Sequence, residues 1–193
     1  IFVLVLFLGN LRAGLIVASA IPLSMLFALE LMNVFGVSAN LMSLGAIDFG
    51  LIVDGAVIIV EATLHHLGMR KTIGKLSQSE MDNEVFVSAS KIRSSTAFGE
   101  IIILIVYIPI LTLVGIEGKM FSPMAQTVSF AIVGALILSL TYIPMMCAAF
   151  LSKNISHKQT LSDRMMNFFQ RLYAPLLEKA IRFKKVIVVA TVA

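Results

Sequence analysis

Charge is scarce in this sequence. Only 13% of its 193 residues are Asp, Glu, Lys or Arg, about half the ~25% common in soluble domains. That shortage, with a mean hydropathy of +0.97, excludes an ordinary soluble globular domain. Cysteine is nearly absent too. Cys147 stands alone, which excludes an intrachain disulfide and a Cys/His zinc cluster. A phosphate loop is also missing. GIEGKMF holds a Gly-Lys pair, but Leu113 stands where the leading glycine is required and Met120 where Ser or Thr should follow. ATP is therefore not the expected energy source. There is no tandem repeat and no cleavable signal pattern. Both ends fall inside apolar runs, so the sequence reads as a piece of a longer chain.

What fills the sequence instead is long apolar runs. Four are complete: 13–32, 41–64, 97–116 and 124–151. Two are partial: 1–8, and 186–193, the start of a further span. Runs of this length suit helices that cross a bilayer, at roughly 20 residues each, and exceed what barrel strands need. The expected fold is all-α, a polytopic transmembrane helix bundle over 1–151. Pro22, Pro109 and Pro144 lie inside spans, where neighbouring helices can re-satisfy the freed carbonyl.

Basic residues sort by loop. All of them except Lys119 fall on one side of this topology, and they flank the apolar runs. By the positive-inside rule that side is the cytoplasm. The net charge of +4 thus points to a membrane, with lipid as a partner, and not to nucleic acid. Residues 152–185 read as a cytoplasmic amphipathic connector. Leu161, Met165, Phe168, Phe169, Leu172, Tyr173, Leu176 and Leu177 recur at helical spacing among Asp163, Arg164 and Arg171. Such a helix lies on the inner membrane surface or packs on protein. Pro175 is expected to divide it.

One span stands apart. LMSLGAIDFGLIVDGAVIIVEATL, residues 41–64, carries Asp48, Asp54 and Glu61 with no basic residue. Each acid costs about 2.5–3.5 kcal/mol at the centre of a bilayer. Three such costs make a poor anchor. They make sense if the acids face other helices or a wet cavity and handle protons or ions. In this topology Asp48 lies toward the outside, Asp54 near mid-depth and Glu61 at the inner boundary. Asp54 and Glu61, seven apart, share a helix face; Asp48 lies about 120° around from Asp54 on a continuous helix. Ala46, Gly50 and Asp54 follow at four-residue steps, and Gly55 thins the helix further. Small residues there admit a close partner helix. A buried carboxyl is driven neutral by desolvation and ionised by a nearby cation. That balance lets a proton come and go.

At these residues the sequence resembles a known family. SANLMSLGAIDFGLIVDGAVIIVEA is similar to the fourth transmembrane helix of resistance–nodulation–division (RND) pumps of the heavy-metal efflux branch, the CzcA/CusA family. DFG-x-x-VDGAV-x-IVE is the pattern of the cobalt–zinc–cadmium CzcA type. FLGNLRAGLIVASAIPLSML resembles the join of that family's second and third helices. The stretch from STAFGEIIIL to TYIPMMCA resembles its fifth and sixth, and YAPLLEKAIRFKKVIVV the lead into its seventh. The resemblance covers nearly the whole sequence. It implies that Asp48, Asp54 and Glu61 form a proton relay. It implies proton-driven export of divalent metal ions across the bacterial inner membrane, by a homotrimer working with a periplasmic adaptor and an outer-membrane channel. Metal ion and protons are then substrates, and neither a resident cofactor nor a catalytic residue is implied. The periplasmic domains, the second helix set and the lysine-bearing helix facing the acids lie outside this sequence. Ala62 departs from the family, which usually has Asn there.

Other features carry less. Met42, Met145 and Met146 suit a soft-metal path or plain packing. The copper/silver branch usually lacks the Asp48-type acid, which favours divalent cargo. His65 follows Glu61 at four residues, with His66 beside it; a solvated turn explains both. Cys147 reads as packing. Glu30 reaches water. Glu100, near the inner end of its span, is a weaker relay candidate. The exported metal is not identified by these residues. Two rival readings stay open: an RND-related motor that uses proton flow for protein export, and a membrane scaffold or sensor.

Overall fold

The fold is seen in a computed structural model, which describes residues 2–38, 45, 47–69, 76–152, 171, 173–175, 177, 181 and 182. Among the described residues there are helices and no strand. Residues 1–157 form one unit and residues 158–193 another.

Among its described residues the first unit has helices α1 (Phe2–Leu8), α2 (Leu11–Phe35), α3 (Phe49–Gly68), α4 (Gln78–Leu111), α5 (Gly115–Leu140) and α6 (Tyr142–Phe150), besides helical Gly45. Four of them, α2 to α5, are long and apolar enough to cross a membrane. They match the four complete runs of the sequence, and the fold is the expected all-α bundle.

Local chemistry sets the helix ends. Asn10 caps α2, its side chain accepting from the Arg12 and Ala13 amides at 3.0 and 3.4 Å. Gly36 ends the same helix in the left-handed region, at φ 65°, and the Val37 amide reaches back to the Met32 carbonyl at 2.9 Å. Only glycine takes that conformation without steric cost. A capping box opens α4. The Glu80 amide donates to Ser77 Oγ at 3.3 Å, and the Ser77 amide to Glu80 Oε2 at 2.9 Å. Two orphan amides are thereby satisfied at once.

Several ends differ from those drawn on the sequence. The helix expected at 97–116 runs from Gln78 to Leu111, so the segment before Ala97 is helical and extends α4 beyond the apolar run. GIEGKMF forms the first part of α5, and the turn before it is Thr112 to Val114. The run 124–151 is two helices. Pro144 has no amide for the Leu140 carbonyl, and the chain breaks at Thr141 between α5 and α6. The acid-bearing run is not continuous either. Gly45 is helical, Ile47 and Asp48 are not, and α3 begins at Phe49. The 120° separation of Asp48 from Asp54 therefore does not apply.

α2 and α5 pack most extensively. Their buried faces are built of small residues: Ala13, Gly14, Ala20, Ser24 and Ala28 on α2, and Ala125, Ala131, Gly134, Ala135 and Ser139 on α5. Small side chains let backbones approach, which substitutes for a hydrophobic drive that lipid does not supply. A Cβ on Gly134 would lie 2.6 Å from Phe27 Cδ1. Buried hydroxyls are returned to their own helices. Ser24 donates to the Ala20 carbonyl at 2.7 Å and Thr127 to the Pro123 carbonyl at 2.8 Å. α3 packs on α4, α2 and α5. One apolar cluster, including Ile16, Val17, Ile59, Val60, Met81 and Ile143, also takes in Cys147, which is fully buried. A second gathers Ala28, Ile47, Ile52, Ala131 and Ala135.

In the second unit, residues 171, 173–175, 177, 181 and 182 are helical and exposed. Pro175 lies within helix, and Tyr173, Leu177 and Ile181 recur at four-residue steps, 61%, 42% and 62% exposed. The remainder of the connector expected over 152–185, and the span expected from 186, lie outside the described residues apart from Ser152.

The close approach of α2 and α5 yields a prediction. Gly134→Ala overpacks against the Phe27 ring and costs about 1–3 kcal/mol. Thermal melts of the detergent-solubilised full-length protein report this, and Phe27→Leu in the same chain restores part of the loss.

Candidate ion-relay site

The relay residues expected from the sequence occupy three different settings. Asp48 is the N-cap of α3. Its carboxylate accepts from the Gly50 amide at 2.7 Å, and the absent Cβ of Gly50 leaves space beside Asp48 Oδ1. An acid at a helix N-terminus also meets the positive end of the helix dipole. Asp48 is exposed in this chain.

Asp54 and Glu61 share a face of α3, as their spacing demands. Asp54, Ile58, Glu61 and His65 form its exposed stripe, while Ile52, Gly55, Ala56, Ile59, Val60, Thr63 and Leu67 are buried. Among the described residues neither Asp54 nor Glu61 makes a hydrogen bond or salt bridge. The acid face is thus turned away from the helices this chain supplies. Ala46, expected to pack near the relay, lies outside the described residues. Gly50 is exposed, so its role is beside Asp48 and not in helix packing. Gly55 is buried and does make a close contact.

That contact is with Glu100. The Glu100 side chain is 3% exposed, and both of its carboxyl oxygens lack a hydrogen-bond partner. A Cβ on Gly55 would collide with Glu100 Oε1 and would lie 3.2 Å from Ser139 Cβ. The Ser139 hydroxyl is beside the acid but is committed to the Leu136 carbonyl at 3.0 Å. Thr96, one turn along α4, is also buried with an unpartnered hydroxyl. Almost all buried polar groups in proteins are paired, so two in succession call for a reason. From the sequence Glu100 is a weaker relay candidate near the inner end of its span, with no sign of its enclosure. The signal the sequence did hold was the four-residue series Glu84, Ser88, Thr96, Glu100, broken once by Ile92.

Toward the far end of the same two helices, Ser88 donates to Thr63 Oγ1 at 3.4 Å, and Thr63 donates to the Ile59 carbonyl at 2.8 Å. His66 Nδ1 lies 3.0 Å from Glu84 Oε2, a charge-assisted pair when the imidazole carries both protons. Among the described residues no three His, Cys, Asp or Glu side chains gather as a metal site. Met145 is exposed, Met146 half-buried, and Met42 lies outside the described residues.

Membrane-length helices thus turn two acids outward and bury a third whose oxygens lack a hydrogen-bond partner. The whole chain, residues 1–193, matches the AcrB/AcrD/AcrF family, and it belongs to that family, the RND pumps anticipated from its acid-bearing helix. It is 49% identical over 183 residues to the cobalt-zinc-cadmium resistance protein CzcA of Cupriavidus metallidurans, covering 94% of this chain and 17% of that protein. It is 43% identical over 193 residues to protein HelA of Legionella pneumophila, covering 99% and 18%. Its fold is similar to a crystal structure of a heavy metal efflux pump, with TM-score 0.74 and 37% identity over 98% of this chain and 16% of that one. The chain therefore spans about a sixth of the length of its relatives, within the CzcA/CusA type.

The Gly55–Glu100 contact can be tested by its sign. Gly55→Ala alone overpacks the seam and costs about 1–3 kcal/mol. In a Glu100→Ala background the obstacle is gone, and the same change gains up to about 1 kcal/mol from helix propensity. A double-mutant cycle on thermal stability of the full-length protein measures the coupling.

Proposed function

We propose that this chain is the relay-bearing part of a proton-driven exporter of divalent metal ions, a secondary transporter and not an enzyme. Asp48 and Asp54 carry protons, and Glu61 relays them at the inner boundary. The observation that supports this most is the unpartnered acid face of α3, Asp54 with Glu61, in a membrane-length helix. A charge so placed is costly unless another helix or water answers it. The answering group is a cation on a helix beyond this chain. Proton binding at Asp54 removes the attraction to that cation, proton loss restores it, and the two states favour different helix packing. An inward proton gradient then drives the cycle.

The cargo reading rests on kinship. The names of the relatives speak of cobalt, zinc and cadmium resistance and of nickel-cobalt-cadmium resistance. Zinc, cobalt and cadmium are accordingly the proposed substrates. A multi-pass place in the bacterial inner membrane, a homotrimeric state, a periplasmic adaptor and an outer-membrane channel complete the proposal. The metal is selected by parts of the protein beyond these residues.

Asp54→Asn in the full-length protein is expected to abolish metal export while leaving assembly intact. Loss of a positioned proton carrier costs about 100-fold or more in rate. Metal uptake into everted vesicles under an imposed proton gradient is the measurement, and wild-type rates in the variant sink the proposal.

A further inference from the structure

Glu100 is an acid the molecule encloses without answering. Two helices face it. α3 brings Gly55 and, adjoining it, Asp54 as a like-charged neighbour. α5 brings the Ser139 side chain. α3 contains no Lys or Arg, and the single Lys of α5, Lys119, lies at its opposite end. The nearest histidines, His65 and His66, are at the far end of α3.

From Glu100 a polar file runs along α4 at four-residue steps, each about 6 Å along the axis. Thr96 comes first, 4% exposed with a free hydroxyl. Ile92 interrupts. Ser88 follows, bonded across the seam to Thr63, and then Glu84, paired with His66. The last pair is partly open, with side chains 22% and 33% exposed. The file thus joins a closed acid to solvent at the C-terminal end of α3.

We infer that the α3–α4 seam is the inner exit for protons and that Glu100, in place of the exposed Glu61 of the reading above, takes each proton from Asp54. This rests on the proton-driven reading above. In the first step the O–H bond of the Asp54 carboxylic acid breaks and the Glu100 carboxylate gains the proton, leaving Asp54 ionised. In the second, Glu100 returns the proton to water in the seam, and it emerges past Thr96 and Ser88 at the His66–Glu84 pair. Ile92 leaves about 12 Å between Thr96 and Ser88. Water must bridge that gap, and the apolar side chain keeps the route shut until the helices shift.

The experiment uses the full-length pump in proteoliposomes with a lumenal pH dye and an imposed proton gradient. The cargo is zinc, cobalt or cadmium, whichever drives proton flux in the wild type. Glu100→Gln is expected to lower that flux about 100-fold, and Thr96→Val several-fold, with both variants eluting as the wild type does. Glu100→Asp retains part of the flux, which a space-filling role does not predict. Infrared difference spectra across a pH step lose one carboxyl C=O band in Glu100→Gln. Wild-type flux in Glu100→Gln, or an unchanged infrared spectrum, overturns the inference. Where Glu100→Gln does not fold, Thr96→Val decides, because wild-type flux there removes the seam as the route. Wild-type flux in Asp54→Asn instead overturns the proton-driven reading itself, so the two failures are distinct.

Discussion

The cost of an acid in hydrocarbon governs this structure. At about 2.5–3.5 kcal/mol for an acid at the centre of a bilayer, no acid on a membrane helix is there by default. The chain meets that cost in three ways. Asp48 sits at a helix start, where the Gly50 amide and the helix dipole receive it. Asp54 and Glu61 turn outward, on the exposed stripe of α3. Glu100 turns inward, enclosed by α3 and α5, with its oxygens unpaired. Only the first of these is settled within the chain. The other two leave unanswered electrostatics on opposite sides of one helix.

Small residues make this arrangement possible. Gly55 has no side chain because Glu100 occupies that volume. The adjoining Ala56 is buried to 1% in the first apolar cluster. On the other side of the bundle, the Ala- and Gly-rich faces of α2 and α5 bring those helices close enough to act as a frame. Ser24 and Thr127 bond to their own backbones, while Ser19 of α2 also meets the Tyr142 hydroxyl of α6 at 3.2 Å. The contacts holding α3 are thus mostly van der Waals contacts and one seam of polar groups. Such an interface can change its packing when a single proton arrives or leaves.

Much of this was legible in the sequence because the bilayer makes strict demands on length and polarity. The four long runs stood out, and the shared face of Asp54 and Glu61 followed from the 3.6-residue period. Other features were written down but easy to pass over. Ser77 and Glu80 spell a capping box, yet the charged stretch around them reads as loop, and α4 starts there. Pro144 announces the break at Thr141. The interruption before Phe49 carried no comparable sign, since Ile47 and Phe49 continue the apolar run across it. The setting of Glu100 was the least legible. Its burial depends on which helix lies opposite, and no spacing within α4 states that Gly55 will be the residue it meets.

The order of residues on α3 ties the two unanswered acids together. Asp54 and Gly55 are consecutive, so their directions differ by about 100°. Asp54 lies within the exposed stripe, only about 20° around the helix from Glu61. What sets it apart is its neighbour, since Gly55 is the residue that Glu100 meets. The outward face lies on one side of that junction and the enclosed seam on the other. A helix held by small residues need turn only a fraction of one residue's angle to favour one over the other. A proton carrier needs that property, since it must receive from one compartment and deliver to another without being open to both. The place of Asp54 beside Gly55, with Glu100 behind that glycine, meets this need for the proposed relay.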